Sequence, residues 1–486
     1  MKWINVFIIS ILANVSCFAH NHYSKCNVCD GECANEVNLI IDERLELVSI
    51  VFRLAGAEEY VSSLLPEYME EVDTYFKPYT DHELISFIRE TRQNYKFGYS
   101  IVAASAFMIE ISGKSVKMLS TWDIDEEFID EVNQYWTRDI FDSYIHLLDK
   151  FYRDSRFHEF FDSHKDYYET AINRNTDIVS RINMQWFKDF FGESLRGIEI
   201  NMGLCLGNNN YFIWNRCNDR DWDGKIAIVV GASSDVDGIP VFHEYQFPVV
   251  IHEIMHYFTR PLISVYYNQM EESMEYVYSK ITDQMTDRGY GNARSMAGEW
   301  FNNLFTNLYF KYEYEVGRYP FNYMYNVAQN EDEGYIWMGR AVAFMNNFYL
   351  ERNRYPTIKE FMPQLVAYSN LLRDKWDIIV DEYEMSKPYI IDIFPAGDIL
   401  PLGTNEIRIR FSHNMNVGTQ GLMRIEGYSF LPFNFEKCRW EDENVFVISL
   451  NQLEKGKTYA VLLPRGAFFS EDCHCADNHI IILKTE

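Results

Sequence analysis

The chain has 486 residues, 47% of them hydrophobic and 24% charged, a balance that belongs to folded globular proteins and excludes a disordered one. Its 44 basic and 72 acidic residues leave a net charge of -28. Such an anionic surface repels phosphate backbones, so no nucleic-acid partner and no polybasic membrane patch are expected.

The first residues, MKWINVFIISILANVSCFA, combine one lysine, an apolar run and a small terminal residue. This is the layout of a signal peptide over residues 1–19, cleaved after Ala19, and the run is too short to span a bilayer. Lipid attachment at Cys17 is the alternative. Either way the protein is expected to be secreted, periplasmic or on the cell surface. No later stretch has the length and apolarity of a membrane span. Removal of the signal leaves Cys26, Cys29, Cys33, Cys205, Cys217, Cys438, Cys473 and Cys475. An even number in an exported protein predicts disulfides, with residues 20–36 as a cysteine-rich segment and His474 inside a stapled loop.

Residues 38–190 carry helical spacing, as in ELVSIVFRLAGAEEYVSSLL. His146, His158 and His164 in this region lack metal-ligand spacing and are read as ordinary surface or core residues. After Gly192 the texture changes. GIEINMGLCLG, NNYFIW and GKIAIVVGAS are short runs broken by Gly and Asn, and they predict a small sheet. Pro248 suits the start of a helix and Pro261 should limit or kink it. Helical spacing resumes to about Leu350. From Lys387 onwards, alternation in NEIRIRF and NVFVISL predicts a β-sandwich.

The chemistry concentrates in VVIHEIMHYF, residues 249–258. Residues four apart share a helix face, so His252 and His256 can direct imidazole nitrogens at one Zn2+, while Glu253 reaches a water on that ion. The flanks are apolar, as a buried metal helix requires. The alternative is a buried helix whose histidines bond to carbonyls or acids. HEYQF at 243–247 has Phe247 where a second histidine would be needed, so His243 and Glu244 are read as structural. For a third ligand, Glu299 in SMAGEWFNNLF is a lone carboxylate among apolar neighbours, costly to bury unless a cation receives it. Pairing with Arg294 or Arg340 is its bland reading. Glu275 is the second candidate, in a stretch that looks solvated.

These residues resemble the HExxH signature of the zincin metallopeptidases. More broadly, Val37 to Leu350 resembles an uncharacterised Bacteroidetes-type domain-of-unknown-function family of secreted proteins, through ELVSIVFRLAGAEEY, KIAIVVGAS, HEIMHYFTRPLI and GEWFNNLF. The spacing from His256 to Glu275 is similar to that of the aminopeptidase-like gluzincins. FPAGDILPLGTNEIRIRFSHNM, Trp440 and LEKGKTYAVLL resemble a bacterial Ig-like domain. The resemblance implies an α+β chain: a mostly helical, zincin-like catalytic domain with a small mixed sheet over residues 37–384, then an all-β Ig-like sandwich over 388–486.

The expected activity is hydrolysis of a peptide or protein substrate, with His252, His256 and Glu299 as zinc ligands and Glu253 as general base. Tyr309, Tyr323, Tyr325 and Tyr335 are candidates for supporting the oxyanion. The strand GKIAIVVGAS is expected to offer an edge to extended substrate. Two rival readings are a non-catalytic surface or glycan-binding protein with a relic HExxH, and a zinc hydrolase acting on something other than peptides.

Overall fold

The computed structural model describes residues 36–62, 64–95, 98–119, 138–213, 225–235, 237–313 and 320–486. The expected signal peptide, Cys17, the cysteine-rich segment and Cys217 lie outside them. The chain is mixed α+β, with many helices and several small sheets. It forms two compact units. One comprises described residues within Gly31–Val265 with Arg352–Met362, the other those within Tyr266–Glu351 and Pro363–Glu486. Among the described residues no helix is long and apolar enough to cross a membrane.

In the first unit the strands are β1 (Glu36–Ile40), β2 (Ile109–Ser112), β3 (Ser115–Met118), β4 (Gly197–Gly203), β5 (Asn210–Ile213), β6 (Lys225–Gly231), β7 (Ser233–Ser234) and β8 (Pro240–Val241). A four-stranded mixed sheet has the order β1-β4-β6-β5. Parallel pairs join β1 to β4 and β4 to β6, and β5 runs antiparallel to β6. The small mixed sheet expected from the three short runs is therefore present, with β1 as an additional member. β6 is interior. The substrate edge expected of GKIAIVVGAS is not available there, because both of its sides are already paired; β5 forms that edge of the sheet.

Helix α1 (Glu43–Ala55) lies at the centre of this unit. It starts at Asp42, whose side chain accepts the Arg44 N–H at 2.7 Å, and it stops at Gly56, which takes the left-handed φ of 80° open to glycine. Every residue from Leu45 to Phe52 is buried, so α1 has no solvated face there, and Glu46 is buried with the rest. Its carboxylate accepts the Leu204 N–H at 3.0 Å and the Tyr68 hydroxyl at 2.9 Å; Tyr68 bonds onward to Tyr168 at 3.0 Å. Burial outweighs those bonds and pushes the Glu46 carboxyl up to about 7.

Helix α2 (Phe247–Tyr266) follows β8 in sequence, and the second unit contains α3 (Ala293–Glu313), α4 (Pro320–Asp332) and α5 (Trp376–Ser386). Trp300, Trp337 and Trp376 form a chain of edge-on rings, 5.8 and 6.0 Å apart. The strands beyond it are β9 (Ile390–Phe394), β10 (Ile399–Leu400), β11 (Glu406–Phe411), β12 (Ser429–Phe430), β13 (Arg439–Asp442), β14 (Val445–Ser449), β15 (Thr458–Leu463) and β16 (His479–Thr485). They make two sheets, β10-β16-β15-β12 and β13-β14-β11-β9, which bury one common core. The alternation read in NEIRIRF is realised: Ile407, Ile409 and Phe411 point inward, as do Phe446 and Ile448 from the neighbouring antiparallel β14. Phe468 lies 5.5 Å from Phe411 and 5.3 Å from Phe446, closing the core from the loop after β15.

Candidate metal centre on helix α2

Helix α2 (Phe247–Tyr266) carries the HExxH residues. It is entered through a short turn, Glu244–Gln246, that His243 caps: the Gln246 N–H donates to the His243 side chain, and the Gln246 side chain accepts the His243 N–H at 2.7 Å. Gln246 Nε2 also donates to the Gly231 carbonyl at 2.6 Å, which fixes the helix start to the end of β6. Glu244 pairs with Arg181 at 3.0 Å. Proline 261 does not end the helix, which stays regular enough to continue to Tyr266.

The apolar face of α2 explains its position. Phe258 stacks on Phe191 at 4.2 Å and 6°, and on Phe187 at 5.4 Å and 11°, both from the helix Met184–Phe191. Val250, Ile251, Ile254 and Met255 are fully buried. The opposite register brings His252 and His256 together, with ring centroids 4.9 Å apart and planes at 89°. Both are half-buried, so they remain accessible, whereas Glu253 between them is only 7% exposed. Phe212 of β5 stands 6.2 Å from the His256 ring and also carries the Arg260 guanidinium over its face at 5.4 Å.

Glu299 sits on α3, half-buried between Gly298 and the fully buried Trp300. Tyr290 shares a hydrogen bond with it; burial first, then the Glu299 charge, pushes that phenol up. Burial and Glu299, in that order, act the same way on Tyr335. Arg340 is engaged by Glu382, and the Arg294 guanidinium lies over the Tyr267 ring at 5.5 Å. Among the described residues one group qualifies to hold a metal ion. One ligand atom each from His252, His256 and Glu299 lies within 4.8 Å of the others. Two imidazoles and a carboxylate are a donor set that zinc accepts. Glu275 is exposed on the helix Glu271–Lys280 and is not part of that group.

The family model described as Domain of unknown function (DUF4932) matches residues 37–368. The chain belongs to the DUF4932 family. The DUF4932 region contains α2 and α3 whole and ends before the two-sheet region begins. No curated protein matches the chain. The solved structures that share slight similarity with it include two of surface-layer proteins. The S-layer protein rSbsC(31-844) is 10% identical, with 50% of this chain and 32% of that chain covered, at a TM-score of 0.17. The surface layer protein SbsC, domains 1-6, is 12% identical, with 48% and 33% covered, at 0.15. This DUF4932 chain thus spans about a third of the length of those structures, and scores this low carry no argument about its fold.

Other sequence expectations separate by what their side chains touch. Tyr309 is fully buried on α3. Tyr325 packs 6.2 Å from Phe469, and the Lys311 ammonium lies 5.5 Å over the Tyr323 ring. Sequence reasoning missed Tyr211 on β5. Its hydroxyl is buried with no hydrogen-bond partner, and burial, then Glu59, Tyr99 and Glu253, hold it protonated. A tyrosine in a short strand carries no pattern that would single it out. The expected disulfides are not formed among the described residues: Cys205, Cys438, Cys473 and Cys475 are free thiols. The loop around His474 is held instead by Ser470, whose carbonyl accepts the Cys473 N–H at 2.9 Å and whose hydroxyl accepts the His474 N–H at 3.2 Å. His158 and His164 pair with Glu43 and Glu71.

Proposed function

We propose that this DUF4932 protein is a secreted zinc-dependent hydrolase of peptide bonds, zincin-like and closest in type to the gluzincins, with an Ig-like module at its C-terminus. The observation that carries the reading is the pairing of His252 and His256 one turn apart on α2, with Glu253 buried beside them and Glu299 near enough to act as third ligand. The two imidazoles and the Glu299 carboxylate would hold the ion. Bound there, zinc supplies a water of pKa near ~7 and a Lewis acid for the scissile carbonyl.

The chain's own residues do the rest. Glu253 takes the proton from the attacking water and delivers it to the leaving amine. The Tyr211 hydroxyl is available to donate to the oxyanion as charge develops, because nothing else in the described structure engages it. Among the described residues β5, which carries Tyr211, is paired on one side only, so its other side can receive an extended peptide.

The test is turnover of a quenched-fluorescent peptide library by the zinc-loaded chain and by Glu253→Gln. The variant should keep its zinc and lose at least ~100-fold in rate, the usual scale of general-base catalysis. Full activity in Glu253→Gln overturns the assignment of the base. Absence of peptide turnover together with hydrolysis of small esters overturns the substrate class.

A further inference from the structure

A second site lies within the other unit. A cavity of about 570 Å3 opens between α4, α5 and the loop that carries Glu471 to His474. Its floor is a buried acid–imidazole pair. Glu331, with its side chain 2% exposed, accepts the Gly339 N–H at 2.9 Å through Oε1 and the His474 Nδ1–H at 2.7 Å through Oε2. A carboxylate at Nδ1 fixes the imidazole's proton on that nitrogen and leaves Nε2 as an acceptor on the cavity wall, where no described residue bonds to it. Opposite stands a second matched pair, Arg340 with Glu382. Tyr323 and Tyr383 add rings, each with an ammonium group over one face, Lys311 at 5.5 Å and Lys387 at 4.9 Å. The Tyr383 hydroxyl already accepts from Arg465 at 3.1 Å, so this residue offers its ring, which meets the His474 ring edge-on at 5.7 Å.

The charges decide the ligand class. Each acid in the two pairs is matched by a cation or an imidazole beside it, and Lys311, Glu471 and Asp472 add further charges of both signs to the wall. A strongly anionic ligand meets Glu331, Glu382, Glu471 and Asp472, and a strongly cationic one meets Arg340 and Lys311. A neutral ligand rich in hydroxyls is favoured by both, because each hydroxyl donates to a carboxylate or to Nε2 and accepts from a guanidinium. Aromatic rings suit the C–H faces of such a ligand. A disaccharide is of drug size, and pockets for ligands of that size run ~300–1,000 Å3.

We propose that this cavity is a binding site for a neutral saccharide, built from the Glu331–His474 and Arg340–Glu382 pairs and the Tyr323 and Tyr383 rings. It is independent of the metal centre and of peptide hydrolysis. Its position, outside the HExxH helix and beside the two-sheet region, makes it a means of holding the enzyme on a glycan-bearing surface.

The experiment is isothermal titration calorimetry of the whole mature chain with lactose, maltose, cellobiose and N,N′-diacetylchitobiose. At least one should bind with a Kd below ~1 mM. Ala343→Trp places a bulky ring on the exposed cavity wall and should abolish that binding. His474→Asn keeps an N–H for Glu331 but removes the acceptor, and should weaken binding at least tenfold with the melting temperature unchanged. Should that variant misfold, Ala343→Trp alone decides. The proposal is overturned if none of the four sugars binds, if binding survives Ala343→Trp, or if phosphate or tetramethylammonium occupies the cavity in preference to every sugar.

Discussion

Replacing Glu46 with Gln should change how stability varies with pH. Glu46 is fully buried in α1 among Leu45, Leu47 and Val48, with Tyr68, Tyr168, Asp42 and the Leu204 N–H facing it. Burial lifts its carboxyl from the ordinary 4.5 to about 7, the nearby Asp42 charge adds slightly, and the bonds from Leu204 and Tyr68 only partly offset this. In the unfolded chain the group ionises near its ordinary value, so between pH 4.5 and 7 the unfolded state has released a proton that the folded state still holds. Stability from this residue is therefore fully present below pH 4.5 and is lost as pH rises through 7. The loss is about 3 kcal/mol, at ~1.4 kcal/mol per tenfold change in proton affinity. Gln mimics the protonated carboxyl: its oxygen can accept from Leu204, and it never ionises. Guanidinium unfolding of both proteins, followed by circular dichroism from pH 4.5 to 8.5, reads the effect as the difference between them. That difference should move in favour of Glu46→Gln by about 3 kcal/mol across the range. Curves that stay parallel at every pH would refute the reading of Glu46 as a buried acid.

Phe258→Ala should cost ~3–5 kcal/mol in thermal unfolding, since it empties the stack against Phe191 and Phe187 that seats α2. A loss below ~1 kcal/mol would mean that the stack does not hold the helix. Gly231→Ala should be strongly destabilising as well. A Cβ there falls 2.0 Å from the Gly207 carbonyl oxygen, a backbone atom, and overpacking typically costs ~1–3 kcal/mol. Wild-type stability in that variant contradicts the close approach of β6 to the Gly207 turn. Glu299→Gln should weaken zinc affinity in a competition titration with a chelating dye by more than the ~10-fold typical of outer partners. Unchanged affinity removes Glu299 from the ligand set.

What the sequence revealed follows from how local each signal is. His252 and His256 are four residues apart on one helix, so helical geometry alone makes them neighbours. The strands of the C-terminal region were legible for the same reason, because Ile407, Ile409 and Phe411 alternate within six residues of one strand. β1 was not legible. EVNLI is short and runs straight towards α1, and it becomes a strand only because it pairs with β4, far along the chain. Glu46 was hidden by its own charge: an acid in an apolar helix reads as a solvated position, and only the packing around α1 shows otherwise. The substrate edge was misassigned to β6 because strand order cannot be read from strand content. The cysteine count suggested staples, and among the described residues Cys205, Cys438, Cys473 and Cys475 are buried free thiols, which a count cannot foresee because pairing depends on which thiols the fold brings close. The Glu331–His474 pair joins residues more than a hundred positions apart, beyond the reach of any spacing rule.

The zinc content of the purified mature chain, measured by mass spectrometry after dialysis against zinc and then buffer, puts the two imidazoles of α2 to the most direct trial. One zinc per wild-type chain, and none in a folded His256→Ala variant, is the result expected. A wild-type chain that comes through free of zinc, or a variant that retains a full equivalent, contradicts the metal centre and the hydrolysis built on it.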